Sequence, residues 1–176
     1  MNPVSSRLKA IAITAAFFAL SALVLLALVW GLVALPFPVP FEGALAGYRP
    51  HDTVAVLSDL RLPITLTAAF LVAFGLVLFF SSAYLDKMIA IFADVILMLM
   101  AALAGFVAGY WIALRLAGYE NFLRLEFLQS ALISPLIVFA VSLASPGWLR
   151  SSLPLRVVAI LVLLVAAPLT LVLLPR

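Results

Sequence analysis

From Ala10 to Leu35 the chain carries no Asp, Glu, Lys or Arg, and four further apolar stretches of 18 residues or more follow it. At about 1.5 Å of rise per residue, a helical run of that length matches or exceeds the roughly 30 Å hydrocarbon core of a bilayer. In lipid, backbone donors and acceptors find no water, so such a run has to satisfy them internally as a helix. The composition agrees: 68% of the 176 residues are apolar and 10% charged, against about 45–50% and 25% in an average soluble domain. With a mean hydropathy of +1.35, the sequence reads as an all-α integral membrane protein, a single polytopic domain over residues 1–176.

Five spans are expected, at about 10–35, 62–85, 88–114, 127–144 and 157–174, with four as the alternative count. The first is too long for the apolar region of a cleaved leader, which runs to about 7–15 residues, so it reads as an uncleaved helix. It ends at Pro36-Phe37-Pro38-Val39-Pro40. Proline at alternate positions removes backbone donors and fixes φ, so the chain should leave in an extended form. Residues 36–61 are therefore expected to form a proline-rich external loop. The short Asp86-Lys87 link predicts an antiparallel hairpin of the second and third spans. Between Arg115 and Gln129 the pattern is weaker. Glu120 and Arg124 make an i,i+4 pair, but Glu126 falls on the opposite side among Leu and Phe. Ser145-Pro146-Gly147 breaks the chain before the last span.

Orientation follows from the basic residues. With the N-terminus inside, the inner side holds Arg7, Lys9, Lys87, Arg150 and Arg156, and the outer side Arg49, Arg61, Arg115, Arg124 and Arg176. The sides tie in number, and Arg7 and Lys9 ahead of the first span decide for a cytoplasmic N-terminus. A bacterial inner membrane is the expected host.

Asp94 is the acid within the third span. An ionisable group at such depth normally faces protein or a water-filled cavity. At 100° per residue, Ala101 and Gly105 lie within about 20° of it and Gly109 within about 60°. Ala101, Gly105, Gly109 and Ala113 repeat every four residues, the small-xxx-small spacing that lets helix backbones approach closely. This ladder is the expected helix-packing or partner contact. For Asp94 two roles follow: a proton- or cation-binding carboxylate, or a packing acid clasped to hydroxyls. If the turn falls at Asp86-Lys87, Asp94 lies level with Phe79 and within about one turn of Ser81 and Ser82, its expected partners.

Several classes of chemistry are excluded. With no cysteine there is no disulfide, thiolate metal site or iron–sulfur cluster. With one histidine, His51, there is no bis-histidine haem or two-histidine metal motif. Glu42, Tyr48, Arg49, His51, Asp52 and Asp59 in the loop match no ligand spacing, and Ser58 has no nearby base. No nucleophile elbow, phosphate loop or zinc-protease motif occurs. The net charge of +3 and a pI near 9.7 fit loops facing anionic lipid, and no basic stripe interleaved with aromatics suggests nucleic acid. No enzyme activity, cofactor or metal is expected. The partners expected are the bilayer and other membrane subunits. The reading is a non-catalytic small helical subunit or scaffold of a larger inner-membrane complex; the alternative is a transporter or channel component in which Asp94 couples a proton or cation.

Overall fold

A computed structural model describes residues 3–36, 47–59, 61–119 and 125–173. All regular structure among them is helical: α1 Pro3–Val33, α2 Pro50–Leu57, α3 Arg61–Phe79, α4 Ala83–Leu116, α5 Leu125–Leu143, α6 Pro146–Leu149 and α7 Leu153–Leu173. Among the described residues, four stretches are long and apolar enough to cross a membrane: Val4–Val33, Asp52–Phe79, Ala83–Leu116 and Leu153–Val172. The apolar part of α5, Phe127–Leu143, is shorter.

The helix ends follow backbone chemistry more closely than hydropathy. Helix α1 is already formed at Pro3, seven residues ahead of the apolar run, and Arg7 and Lys9 do not oppose helix. The region expected as an open loop contains α2. Pro50 opens it after an extended Arg49, and Asp52 lies in its first turn, where the helix dipole favours a negative charge. Residues 37–40 of the proline-rich segment and Glu42 fall outside the described residues, as do Glu120 and Arg124.

The hairpin turn also differs from expectation. It falls at Phe80–Ser82, not at Asp86-Lys87. Ser82 is the residue before α4, and its carbonyl accepts the first helical bond, from the Asp86 N–H at 3.1 Å. Serine is favoured at that position, and an acid in the first helical turn complements the dipole. The charged pair therefore opens a helix instead of linking two. At its far end, α4 closes on Gly118, whose φ of 83° is open to glycine without strain. Gly118 N–H bonds the Arg115 carbonyl and Tyr119 N–H the Leu114 carbonyl, a Schellman closure that satisfies two end carbonyls.

The chain forms two compact units, one of Met1–Asp59 with Ala101–Leu123, the other of Leu60–Met100 with Arg124–Arg176. In the second unit α3 packs against both α5 and α7. Its buried residues Ile64, Thr67, Leu71, Phe74 and Leu78 fall at alternating steps of three and four, the seam of a helix engaged along one face. Ile160, Leu163, Ala167 and Thr170 form the buried face of α7. Gly75 brings the two helices close, since a Cβ there would lie 3.6 Å from the Leu163 Cβ, ordinary van der Waals contact. Phe70 meets Phe74 edge-on at 5.8 Å and Phe92 of α4 at 6.3 Å. In the first unit, Ala22 and Leu26 are the fully buried residues of α1.

Candidate functional site

Polar and close-contact features gather in three places. In the first unit, Gly105 and Gly109 of α4 lie directly on α1. A Cβ built on Gly105 would run into the Ala15 carbonyl and come within 2.8 Å of its Cα. One on Gly109 would strike the Ala19 carbonyl and approach the Ala22 Cβ to 2.8 Å. Ala101 and Ala113 are buried on the same ladder. Ala15, Ala19 and Ala22, the small residues on the opposing helix, were not singled out in the sequence, although their spacing of four and three was the available signal.

Beside this contact, the Tyr48 hydroxyl meets the Tyr110 hydroxyl at 2.5 Å and Thr53 Oγ1 at 3.0 Å. Tyr110 is buried in α4, and Thr53 belongs to α2. The bonds tie the segment before α2 and its first turn to the long helix. A buried tyrosine hydroxyl finds a partner in this way. Of the loop residues considered for metal binding, Tyr48 is thus held in a hydroxyl chain, and Arg49 precedes α2. Among the described residues no group of three His, Cys, Asp or Glu side chains is arranged to hold a metal.

The third place is one end of the second unit. Arg150, which follows α6, spans two structural needs at once. Its Nη1 donates to Asp86 Oδ2 at 2.9 Å, and its Nη2 donates to Asp86 Oδ1 at 2.5 Å and to the Val77 carbonyl at 2.9 Å. The fork thus pairs bidentately with the first-turn acid of α4 while adding a second donor to the Val77 carbonyl, which also accepts from the Phe80 N–H at 3.1 Å, in the last turn of α3, where positive charge complements the dipole. With side chains 11% and 29% exposed, the pair is partly withdrawn from water. Arg156 of α7 donates to the Phe79 carbonyl at 2.5 Å. Ser145 caps α6 by accepting from the Trp148 N–H at 3.2 Å. By charge alone the sequence groups Lys87, Arg150 and Arg156 with Arg7 and Lys9 and pairs none of them with Asp86.

Asp94 sits apart from the serines. Ser81 and Ser82 occupy the turn, and Asp94 lies twelve residues beyond Ser82 along a continuous helix, an axial rise of about 18 Å. The expected Asp94–Ser81–Ser82 clasp does not assemble, because the turn precedes Asp86. Asp94 is half-buried on α4. Elsewhere in the second unit three hydroxyls are fully buried. Thr67 donates to the Pro63 carbonyl and Ser130 to that of Phe127, while Ser134 Oγ, next to Pro135, has no partner among the described residues.

Comparison with protein families, with characterised proteins and with solved structures finds no match. Among the described residues the chain is all-helical, with four helices long and apolar enough to span a membrane, and that defines its class.

Two outcomes are expected from these contacts. Gly105→Leu and Gly109→Leu force side chains into the α1 backbone and should each lower stability by at least about 1–3 kcal/mol, whereas Gly31→Ala, with open space around it, should match the parent; melting in detergent reads all three. Removing either partner of the Arg150–Asp86 pair, as Arg150→Gln or Asp86→Asn, should cost about 1–3 kcal/mol. The double variant should cost less than the sum, and strict additivity in that cycle would mean that the pair contributes no coupling.

Proposed function

We propose that this chain is a non-catalytic helical subunit of a larger inner-membrane complex, crossing the bilayer five times with its N-terminus in the cytoplasm. The observation that carries the reading is the outward surface of α1. Ile13, Phe17, Leu20 and Val24, each at least 50% exposed, recur at steps of four, three and four, the same spacing as the engaged seam of α3. A shallow apolar groove along Leu20, Val24, Leu25 and Leu28 adjoins this stripe. On α7 a second exposed stripe follows Val158, Val162, Val165, Leu169 and Val172. In lipid, knobs at these steps gain association energy from van der Waals interlocking with another helix. Two stripes on two helices suit a piece that joins neighbours.

Purification in a mild detergent tests this reading. Stoichiometric membrane partners are expected, and recovery of a lone homo-oligomer would overturn it. Asp94 supplies the contrast with the carrier alternative, as a half-buried acid about 17 Å from the start of α4. A carboxylate that cycles a proton cannot be replaced by an amide. The subunit reading expects Asp94→Asn to assemble and work as the parent does, and normal assembly with complete loss of cellular function would favour the carrier.

Topology is tested separately. In this cysteine-free chain, single cysteines at Ser5, Ser58 and Ser151 can be challenged with an impermeant maleimide on intact cells. Labelling of Ser58→Cys alone is expected. Labelling of Ser5→Cys would reverse the orientation, and matching behaviour at 58 and 151 would contradict five spans.

A further inference from the structure

The end of the second unit that holds Arg150 also presents a set of groups that its internal bonds do not use up. Lys87, on the first turns of α4, is exposed. Arg156 is partly exposed and uses one bond to reach the Phe79 carbonyl, out of the five N–H donors that a guanidinium carries. Among the described residues, three cations, Lys87, Arg150 and Arg156, stand here against one acid, Asp86, which is already engaged by Arg150. The imbalance is two positive charges.

Depth and company identify what those charges face. The bond from Arg156 to Phe79 brings the start of α7 to the end of α3, and the bonds from Arg150 bring the end of α6 to the start of α4, so these basic groups share one end of the packed helices. Exposed aromatic residues flank them: Trp148 on α6 is 61% exposed and Tyr84 on α4 is 70% exposed. Trp and Tyr collect at headgroup depth, where an apolar ring lies against the acyl boundary and its polar edge is wet. Beyond the basic groups the helices are at once apolar, from Val157 on α7 and from Met88 on α4. Cations placed between an aromatic belt and an apolar slope face phosphate esters at the surface of a bilayer.

We propose that Lys87 and Arg156, with Arg150 as the fixed base of the site, bind the phosphate of an anionic phospholipid headgroup, and that Trp148 and Tyr84 seat its glycerol and upper acyl region. The guanidinium of Arg156, anchored through Phe79, presents a planar donor edge suited to phosphate oxygens, and the Lys87 ammonium adds a mobile point charge. Neutral phospholipids carry the same phosphate with a compensating cation, so the two uncompensated charges favour the anionic lipid.

Native mass spectrometry of the full chain, purified in detergent and titrated in turn with phosphatidylglycerol, phosphatidylcholine and inorganic phosphate, tests the site. The parent should retain phosphatidylglycerol on the order of tenfold better than phosphatidylcholine, and Lys87→Gln with Arg156→Gln should bring the two near parity. Lys87→Gln alone, at an exposed position, should lose part of the preference without affecting melting. Arg115→Gln, a basic residue in the last turn of α4 outside this cluster, should keep all of it. Equal retention of the two lipids by the parent, or an unchanged preference in the double variant, would overturn the proposal. Displacement of phosphatidylglycerol by millimolar inorganic phosphate would assign the site to a soluble anion and overturn it as well.

Discussion

Every backbone donor and acceptor in helices this apolar must be satisfied without water, and the other features of the structure are arranged around that requirement. Within the helices the ladder of bonds meets it automatically. At the ends it does not, and there the chain uses specific residues: Gly118 turns the last carbonyls of α4 onto following N–H groups, Ser145 caps α6, Arg156 supplies a donor to the Phe79 carbonyl, and Arg150 adds one to the Val77 carbonyl beside that of the Phe80 N–H. The arginines do more than decorate a boundary. They act as remote caps for α3, and because Arg150 also grips Asp86, closing one helix end fixes the entry of the next.

Two modes of helix packing operate in the two units. The contact of α1 with the second half of α4 excludes side chains: Gly105 and Gly109 set backbone against backbone, with Ala15, Ala19 and Ala22 opposite. In the other unit the buried faces of α3 and α7 carry mostly larger groups, with Gly75 and Ala167 among the small ones. The physical difference matters because apolar side chains gain little by leaving lipid for another apolar surface. Stabilisation has to come from closeness. A backbone contact gains it from many short-range atom pairs at once, and an interlocked seam gains it from shape.

The small-residue ladder was legible because its signal is local: four small residues at a spacing of four on one helix specify a face by themselves. Its counterpart on α1 was harder to see, since alanines are scattered around that helix and only the partner selects Ala15, Ala19 and Ala22. The Asp94 clasp failed for a related reason. It depended on where a turn falls, and a carboxylate next to a lysine was read as the break when its place is the first turn of a helix that begins after Ser82. The hydroxyl chain from Tyr48 through Tyr110 joins residues 62 apart in sequence and left no periodic trace.

From sequence alone came the helical class and the runs long enough to cross a bilayer, because hydropathy reports depth along a single axis. Tertiary structure alone decided which arginine meets Asp86, which helix receives Gly105 and Gly109, and how far Asp94 lies from the turn. Those facts depend on rotation about helix axes and on exact helix ends. Apart from the small-residue ladder, helices apolar nearly all the way round mark no face in advance, and only contact with a neighbour selects one.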